Sequence, residues 1–472
     1  MRFRHISITL VCLLAVSAAS TAPAAAATGD RLALKVVRRA ADSLVSRHRA
    51  MPRGGWAWRS AIQAPHYQTD RDVGAASIGE GLLAAYAVTR DARYRRAAVA
   101  AGDFLLGVAE PAAGGLRWPD WADPNRRRST THFTSFDDGA AGISDYLWRL
   151  YEVTRNRRFR VGALAGMRWL VAQATGPSCP EVACSWRWTD DPDWRVAYNG
   201  VGMGQAGVVL VLDAFADRTR NQTFRVYARA GAARLRQLTE DGARPLPRGS
   251  ESSTHETGFL SGSAGAAYVF LERHRRDRDP ADLATALGLL GWVNDQAVAH
   301  PSGGLRWPVA DDDPSSAPGF ELGAAGIAWV NLRAARVTGN PEYREVARRA
   351  GTWLRHVRLS GGRWHELAGD STSPVHVGLD SGAAGIGWVL EDIARAGLDT
   401  VANRRAARAA LRGLRREAVR DRLGWSWHEH RSGTRRLLAA EPSWHWGSAG
   451  IAAFAARVAG WTGRGPGGQS AP

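Results

Sequence analysis

Lysine is almost absent from this chain. Lys35 is the only one, yet 62 basic residues stand against 45 acidic ones and leave a formal charge of +17. The arginines that carry this surplus are spread along helical segments, as at Arg93–Arg96, Arg157–Arg160 and Arg404–Arg416. A nucleic-acid-binding protein gathers such charge in one arm or groove, so no nucleic-acid partner is expected. The arginines read as a solvated outer surface, with an acidic glycan or a cell wall as the remaining electrostatic partner. No run beyond the first thirty residues is long and apolar enough to span a bilayer, which excludes membrane insertion. No segment alternates with period two, so little or no sheet is expected. A phosphate-binding glycine loop, a GxSxG elbow and an HExxH pair are also lacking.

Cysteine is scarce too, with three residues in all. Cys12 sits in an apolar run from Ile6 to about Ala19. A basic start (Arg2, Arg4, His5) and the small residues Ala25-Ala26-Ala27 flank that run, the pattern of an export signal over 1–27. Its removal would lower the charge by two arginines, 17 − 2 = 15. The other two, Cys179 and Cys184, bracket a CPEVAC loop. In an oxidising compartment they read as a local disulfide; a zinc half-site has no further ligands nearby, and free thiols are the remaining reading. The expected protein is secreted and monomeric.

Glycine, by contrast, is plentiful and periodic. A cassette recurs at 79–83 (GEGLL), 139–143 (GAAGI), 204–208 (GQAGV), 262–266 (GSAGA), 323–327 (GAAGI), 382–386 (GAAGI) and 447–451 (GSAGI). The gaps between its marker glycines are 61, 65, 58, 61, 59 and 65 residues. A fixed period over the whole chain means one repeated supersecondary unit. Each cassette opens an apolar helix, and after a turn such as TRDARY, TRNRRF or TGNPEY a second helix follows with an apolar stripe on one face. The expected fold is all-α: one α/α toroid of seven helical hairpins over 28–461, with inner and outer helix rings and a disordered tail at 462–472. Closure into a ring is expected because the first and last inner helices are as apolar as the middle ones, where an open solenoid would carry polar caps. All seven inner helices then begin at one end, and their positive termini create a field that favours anionic groups there.

Seven hairpins, each opened by a GxxG-type cassette, resemble the lanthionine synthetase C-like (LanC-like) family, and the resemblance covers essentially the whole mature chain. It implies the toroid fold. In members that cyclise peptides it also implies a central zinc that activates a cysteine thiolate for addition to a dehydrated residue. The ligand positions depart from that pattern. The cysteine expected in the fifth unit is Glu321, and the cysteine-histidine pair of the sixth is Asp380 and Ser381. The histidine before the fourth cassette is Ser261, and the aspartate of the second unit is Ser135. With neither thiolate nor imidazole there, zinc of the family type is not expected.

Two residues before the cassette glycine, where a side chain should face the axis, stand Asp137, Glu321, Asp380 and His445. Each acid alone reads as a helix cap. Together they read as catalytic acid/base groups or as ligands for a hard cation such as calcium. His445 also reads as one member of an aromatic cluster with Trp444 and Trp446. Tryptophans follow a turn in six of the seven units (54–58, 114–118, 185–188, 303–307, 361–366 and 424–429), with RPLPRGS at 244–250 in the fourth. Trp307, Trp364 and Trp427 are candidates for stacking a substrate, against the alternative that all of them pack the loop layer. His132, His255 and His376, upstream of three cassettes, are candidates for the mouth. The acid-rich turns TDDPDW (189–194) and ADDDP (310–314) suggest calcium loops but lack EF-hand spacing. The expected function is a LanC-like toroid that binds a peptide or other polar ligand without zinc or another cofactor. The alternatives are a glycan-active enzyme using Glu321 and Asp380, and a binding module without chemistry.

Overall fold

The computed structural model describes residues 30–62, 66–428 and 440–463. The expected leader, 1–27, and all but the first two residues of the expected tail, 462–472, lie outside them.

Fourteen helices follow one another among the described residues: α1 (Arg31–Ser46), α2 (Ala75–Thr89), α3 (Ala92–Val108), α4 (Ala140–Thr154), α5 (Arg157–Ala172), α6 (Gln205–Thr219), α7 (Gln222–Leu238), α8 (Ser263–Asp277), α9 (Pro280–Asp295), α10 (Ala324–Thr338), α11 (Pro341–His356), α12 (Ala383–Arg395), α13 (Thr400–Glu417) and α14 (Ser448–Val458). Even-numbered helices form the inner ring and odd-numbered ones the outer ring. Each inner helix packs on the outer helix after it, from α2 with α3 to α12 with α13. The seventh hairpin joins the two ends of the chain, since α14 packs on α1, and α14 also lies against α2 and α12. The toroid is closed. Strand is confined to two-stranded pieces of two or three residues.

The two rings start their helices differently. Most outer helices carry a side-chain cap: Asp30, Asp91, Asn156, Asn221, Asp279 and Asn340 each accept from backbone N–H groups of the first turn. Every inner helix instead has glycine at that place and no side-chain cap: Gly74, Gly139, Gly204, Gly262, Gly323, Gly382 and Gly447. Three residues further on, the second cassette glycine lies against its own incoming loop. A Cβ on Gly385 would lie 1.8 Å from the Leu379 carbonyl oxygen, and one on Gly142 would lie 1.8 Å from that of Phe136. The small residues thus let each loop fold back on its own helix start.

This register corrects the first repeat. Its cassette is GAASI at 74–78, five residues before the expected GEGLL, and Ser77 takes the place of the second glycine. Its hydroxyl accepts from the Trp444 N–H at 3.3 Å, across the seam between the last unit and the first.

Ion pairs join five of the seven neighbouring pairs of inner helices. Glu80 of α2 meets Arg149 of α4, Asp145 meets Arg218 of α6 at 2.8 Å, and Asp213 meets Arg273 of α8 at 2.7 Å. Glu272 then meets Arg333 of α10 at 3.3 Å, and Asp392 of α12 meets Arg457 of α14. Such buried pairs add little net stability over apolar packing, but removing one partner strands a charge.

The repeated tryptophans pack the loop layer. Trp58, Trp118, Trp186, Trp307, Trp364 and Trp427 are all buried. Each indole N–H donates to a carbonyl near the end of the preceding outer helix, those of Leu44, Leu105, Leu170, Val293, Leu354 and Leu414, at 2.7–2.9 Å. Each bond thus adds a partner to a carbonyl in the last turn of an outer helix, where intrahelical donors run out. In the fourth unit the buried Leu246 stands there. The reading of Trp307, Trp364 and Trp427 as stacking platforms is therefore corrected: their exposures of 1%, 0% and 0% leave no ring face for a substrate.

Candidate functional site

At the cassette end, the loops entering the inner helices are strung together across the axis. In six of the seven units, all but the first, the carbonyl two residues before the cassette glycine accepts from the loop of the unit before it. Asp137 O takes the Arg71 and Asp72 N–H groups, Gly202 O those of Phe136 and Asp137, and Glu321 O those of Phe259 and Leu260. Asp380 O takes Phe320 and Glu321, and His445 O takes Leu379 and Asp380. This chain of bonds fixes the side chains at that position around one centre.

Three of the four predicted axial residues meet there. His445 Nδ1 lies 3.2 Å from Asp380 Oδ2, and its Nε2 lies 3.8 Å from Asp137 Oδ1. Glu321 is half-buried, and its charge couples to His445, Asp72 and Asp137. None of these acids caps its helix, because glycine holds each cap position. The capping reading is thereby set aside.

The cluster also holds residues that the sequence did not single out. Asp72 accepts from His445 Nδ1 at 2.9 Å. It occupies the same place before Gly74 as Asp137 does before Gly139, so five of the seven axial positions are titratable. Aligning TDRDVGAAS with TSFDDGAAG would have found it. Arg71 is buried, with its guanidinium 4.2 Å from the Phe136 ring centre and 3.8 Å from Asp137 Oδ1. Asp137 Oδ1 and Arg71 Nε and Nη1 are buried without a hydrogen-bond partner. Gly202 makes room for Asp137, since a Cβ there would lie 2.4 Å from Asp137 Oδ2.

The charges account for the protonation. Burial opposes the charge on His445, but Asp380, Asp137 and Asp72 together push it up to about 10. Burial lifts Glu321 to about 7, against the pull of the imidazolium, with Asp72, Asp137 and Glu256 adding to the rise. Asp380 is driven well above the ordinary carboxylate range by burial and by Glu321, Asp72 and Asp137. Asp138, partly buried beside Asp72 and Asp137, rises to about 7. Four axial carboxylates face two cations, Arg71 and His445, and burial disfavours the surplus negative charge. The field of the helix N-termini is met by the chain's own acids. The expectation of an anion-seeking centre is corrected accordingly.

The remaining histidines are held in the surrounding loops. His132 is buried, with Nδ1 on Asp190 at 3.2 Å and Nε2 on Glu110 at 3.1 Å. His255 Nδ1 bonds Asp311 at 2.7 Å. In both cases the aspartate comes from an acid-rich turn and also accepts from the histidine backbone N–H. Asp190 and Asp311, from the two turns that suggested calcium loops, thus serve as histidine latches. His376 Nε2 lies 3.4 Å from Glu366, and its ring meets Trp446 edge-on at 5.3 Å. Cys179 and Cys184 are joined, with Cα atoms 4.9 Å apart, and close the loop ahead of Trp186.

The oxygen donors Glu321, Asp380 and Ser381 do not fit a thiolate-rich zinc centre. Asp72, Asp380 and His445 do offer three ligand atoms within 4.8 Å of one another, a set suited to a harder divalent cation.

The lanthionine synthetase C-like protein family matches residues 134–376 and, overlapping, 198–462. The two stretches begin 198 − 134 = 64 residues apart, about one repeat. No curated protein matches the sequence. Similar solved structures include a D-mannose isomerase, at 15% identity and TM-score 0.51 over 72% of this chain and 91% of the other. A cellobiose 2-epimerase from Spirochaeta thermophila shares 15% identity at TM-score 0.50, over 82% and 95%. A nisin cyclase shares 12% identity at TM-score 0.46, over 71% and 78%. At such identities the likeness is one of fold alone.

Proposed function

Because the chain belongs to the lanthionine synthetase C-like family, we propose that it is an exported member whose axial site binds a peptide or other polar ligand and works on it by proton transfer, without the family's zinc. One observation carries this reading: five loops deliver Asp72, Asp137, Glu321, Asp380 and His445 to one centre, where none of the four acids caps a helix. A purely structural ring has no use for such crowding, which burial makes costly. The unpartnered Asp137 Oδ1 and Arg71 N–H groups, 3.8 Å apart at the nearest, favour a polar ligand that satisfies both.

Within this reading the roles follow from the protonation states. His445, as an imidazolium near neutral pH, serves as general acid. Glu321, partly buried and lifted to about 7, serves as general base in its ionised form. Asp72 and Asp380 hold the imidazole orientation through Nδ1. Export rests on the N-terminal segment and agrees with the Cys179–Cys184 disulfide.

The test is a screen of the mature protein against peptides and cell-wall glycans, repeated on any hit with Glu321→Gln and His445→Gln. Turnover should fall about 100-fold or more with either change while binding weakens far less. Unchanged turnover in both variants would remove the acid/base assignment. Elemental analysis of protein purified without chelator should find no stoichiometric zinc; about one zinc per chain, lost in Glu321→Gln, would overturn the zinc-free reading.

A further inference from the structure

A cavity lined by none of the axial residues lies among the loops of the fifth and sixth repeats. It is an open cleft of about 620 Å³, within the range of small-ligand sites. Val357 and Leu359, backed by the buried Trp353, give it an apolar wall, and His300, Arg306, His356 and His365 face into it. Among the described residues that line it, none is acidic.

The basic groups of the cleft sit together. Arg306 has no carboxylate partner among the described residues. Its guanidinium donates to the hydroxyl of Ser316, itself a lining residue, at 2.8 Å. The His300 and His356 rings lie 4.7 Å apart between centres. Burial, then the neighbouring charges of His356 and Arg306, hold His300 below the usual imidazole range, so like charge is crowded at this end of the cleft, while the carboxylate of Asp370 faces His365. His300 Nδ1 and His365 Nδ1 are engaged by Ser302 and by the Ser373 carbonyl. The rings are therefore set in place.

We propose that this cleft binds the oxyanion group, a carboxylate or a phosphate, of a small polar ligand. Arg306 supplies the planar fork such groups fit. His300 and His356 supply further donors, and the Val357 and Leu359 side packs the uncharged part of the ligand. Occupancy would place a counter-ion beside Arg306.

Isothermal titration of the full mature chain with D-glucuronate, with glucose 6-phosphate and with glucose tests this. At least one of the two anions should bind saturably, at least about tenfold tighter than glucose. Glucuronate alone marks a carboxylate site, and glucose 6-phosphate alone a phosphate site. Arg306→Gln should weaken the anion at least about tenfold, and so should His356→Gln at an exposed position that folding does not need. Anion binding should survive Glu321→Gln combined with Asp380→Asn, which separates this site from the axial one. The proposal is overturned by equal affinity for glucose, by no anion binding, by binding indifferent to both cleft variants, or by binding lost in the axial variant.

Discussion

Replacing Glu321 by glutamine should make the protein more stable above neutral pH. An ionised carboxylate at this place is opposed chiefly by burial, and Asp72 and Asp137 add to the cost. The sign follows from linkage. Glu321 titrates near 7 in the fold against an ordinary 4.5, so the folded state holds the proton more tightly. Its ionisation therefore erodes stability as pH rises from about 4.5 through about 7. A shift of this size corresponds to about 3 kcal/mol at most, and partial solvent exposure trims it to about 2. His445 acts in the same direction over a higher window: its imidazolium stabilises fully below 6.5, and that support is lost as pH rises through about 10. Thermal unfolding of wild type and Glu321→Gln at pH 5, 7 and 9 separates the two windows. At pH 5 the curves should nearly coincide. At pH 9 the variant should melt a few degrees higher, since about 1 kcal/mol moves the midpoint of a domain this large by roughly 1–3 °C. The difference between the two proteins cancels the pH dependence of the arginine-rich surface. A variant less stable than wild type at pH 9 would refute the reasoning and restore the view that Glu321 is a structural anchor.

Trp364→Phe should cost about 1 kcal/mol through the lost bond to Leu354 O, and Trp364→Ala about 3–5, with ligand binding at the axis intact in the former; denaturant titration reads both. Gly385→Ala should destabilise by several kcal/mol, because its Cβ would lie 1.8 Å from the Leu379 carbonyl oxygen; normal solubility and melting would contradict the packing described. Mass spectrometry without reductant should show exported protein lighter by two hydrogens, and Cys179→Ser with Cys184→Ser should lose about 2–3 kcal/mol; two freely alkylated thiols would refute it.

The fold was legible because its signal repeats. The cassettes and the 60-residue period specify seven hairpins, and the apolar ends of the repeat announce closure. The first unit was misplaced for a physical reason. At the seam Ser77 does the work of a glycine and adds a hydrogen bond to Trp444, while Gly79 and Gly81 further along α2 imitate the missing pattern. Gly81 is instead needed where α2 meets α14, since a Cβ there would lie 2.5 Å from that of Ala449. The slip of five residues hid Asp72, although the equivalent positions in four other units, Asp137, Glu321, Asp380 and His445, stood out in the sequence. The tryptophans were ambiguous in sequence because repetition in register is what packing and ligand stacking both produce. Only burial separates the two.

The seventh hairpin has its two helices at opposite ends of the chain, and that arrangement bears on how the ring assembles. The other six hairpins pair helices that are neighbours in sequence and can form locally as the chain emerges. The pairing of α1 with α14 must wait until nearly every residue is available. The contacts around it, Ser60 with Glu441 and Arg47 with Asp421, span 381 and 374 residues. Loop-closure entropy grows slowly with length, so the late join costs little in stability, but contacts this distant weigh heavily on rate. Before it forms, the chain is an open arc of six hairpins whose end helices, α2 and α12, expose the flanks that α14 later covers. The vulnerable species in the life of this protein is thus a nearly complete arc. A circular permutant that fuses the two ends and opens the ring between any other pair of hairpins would move that vulnerability without altering the site.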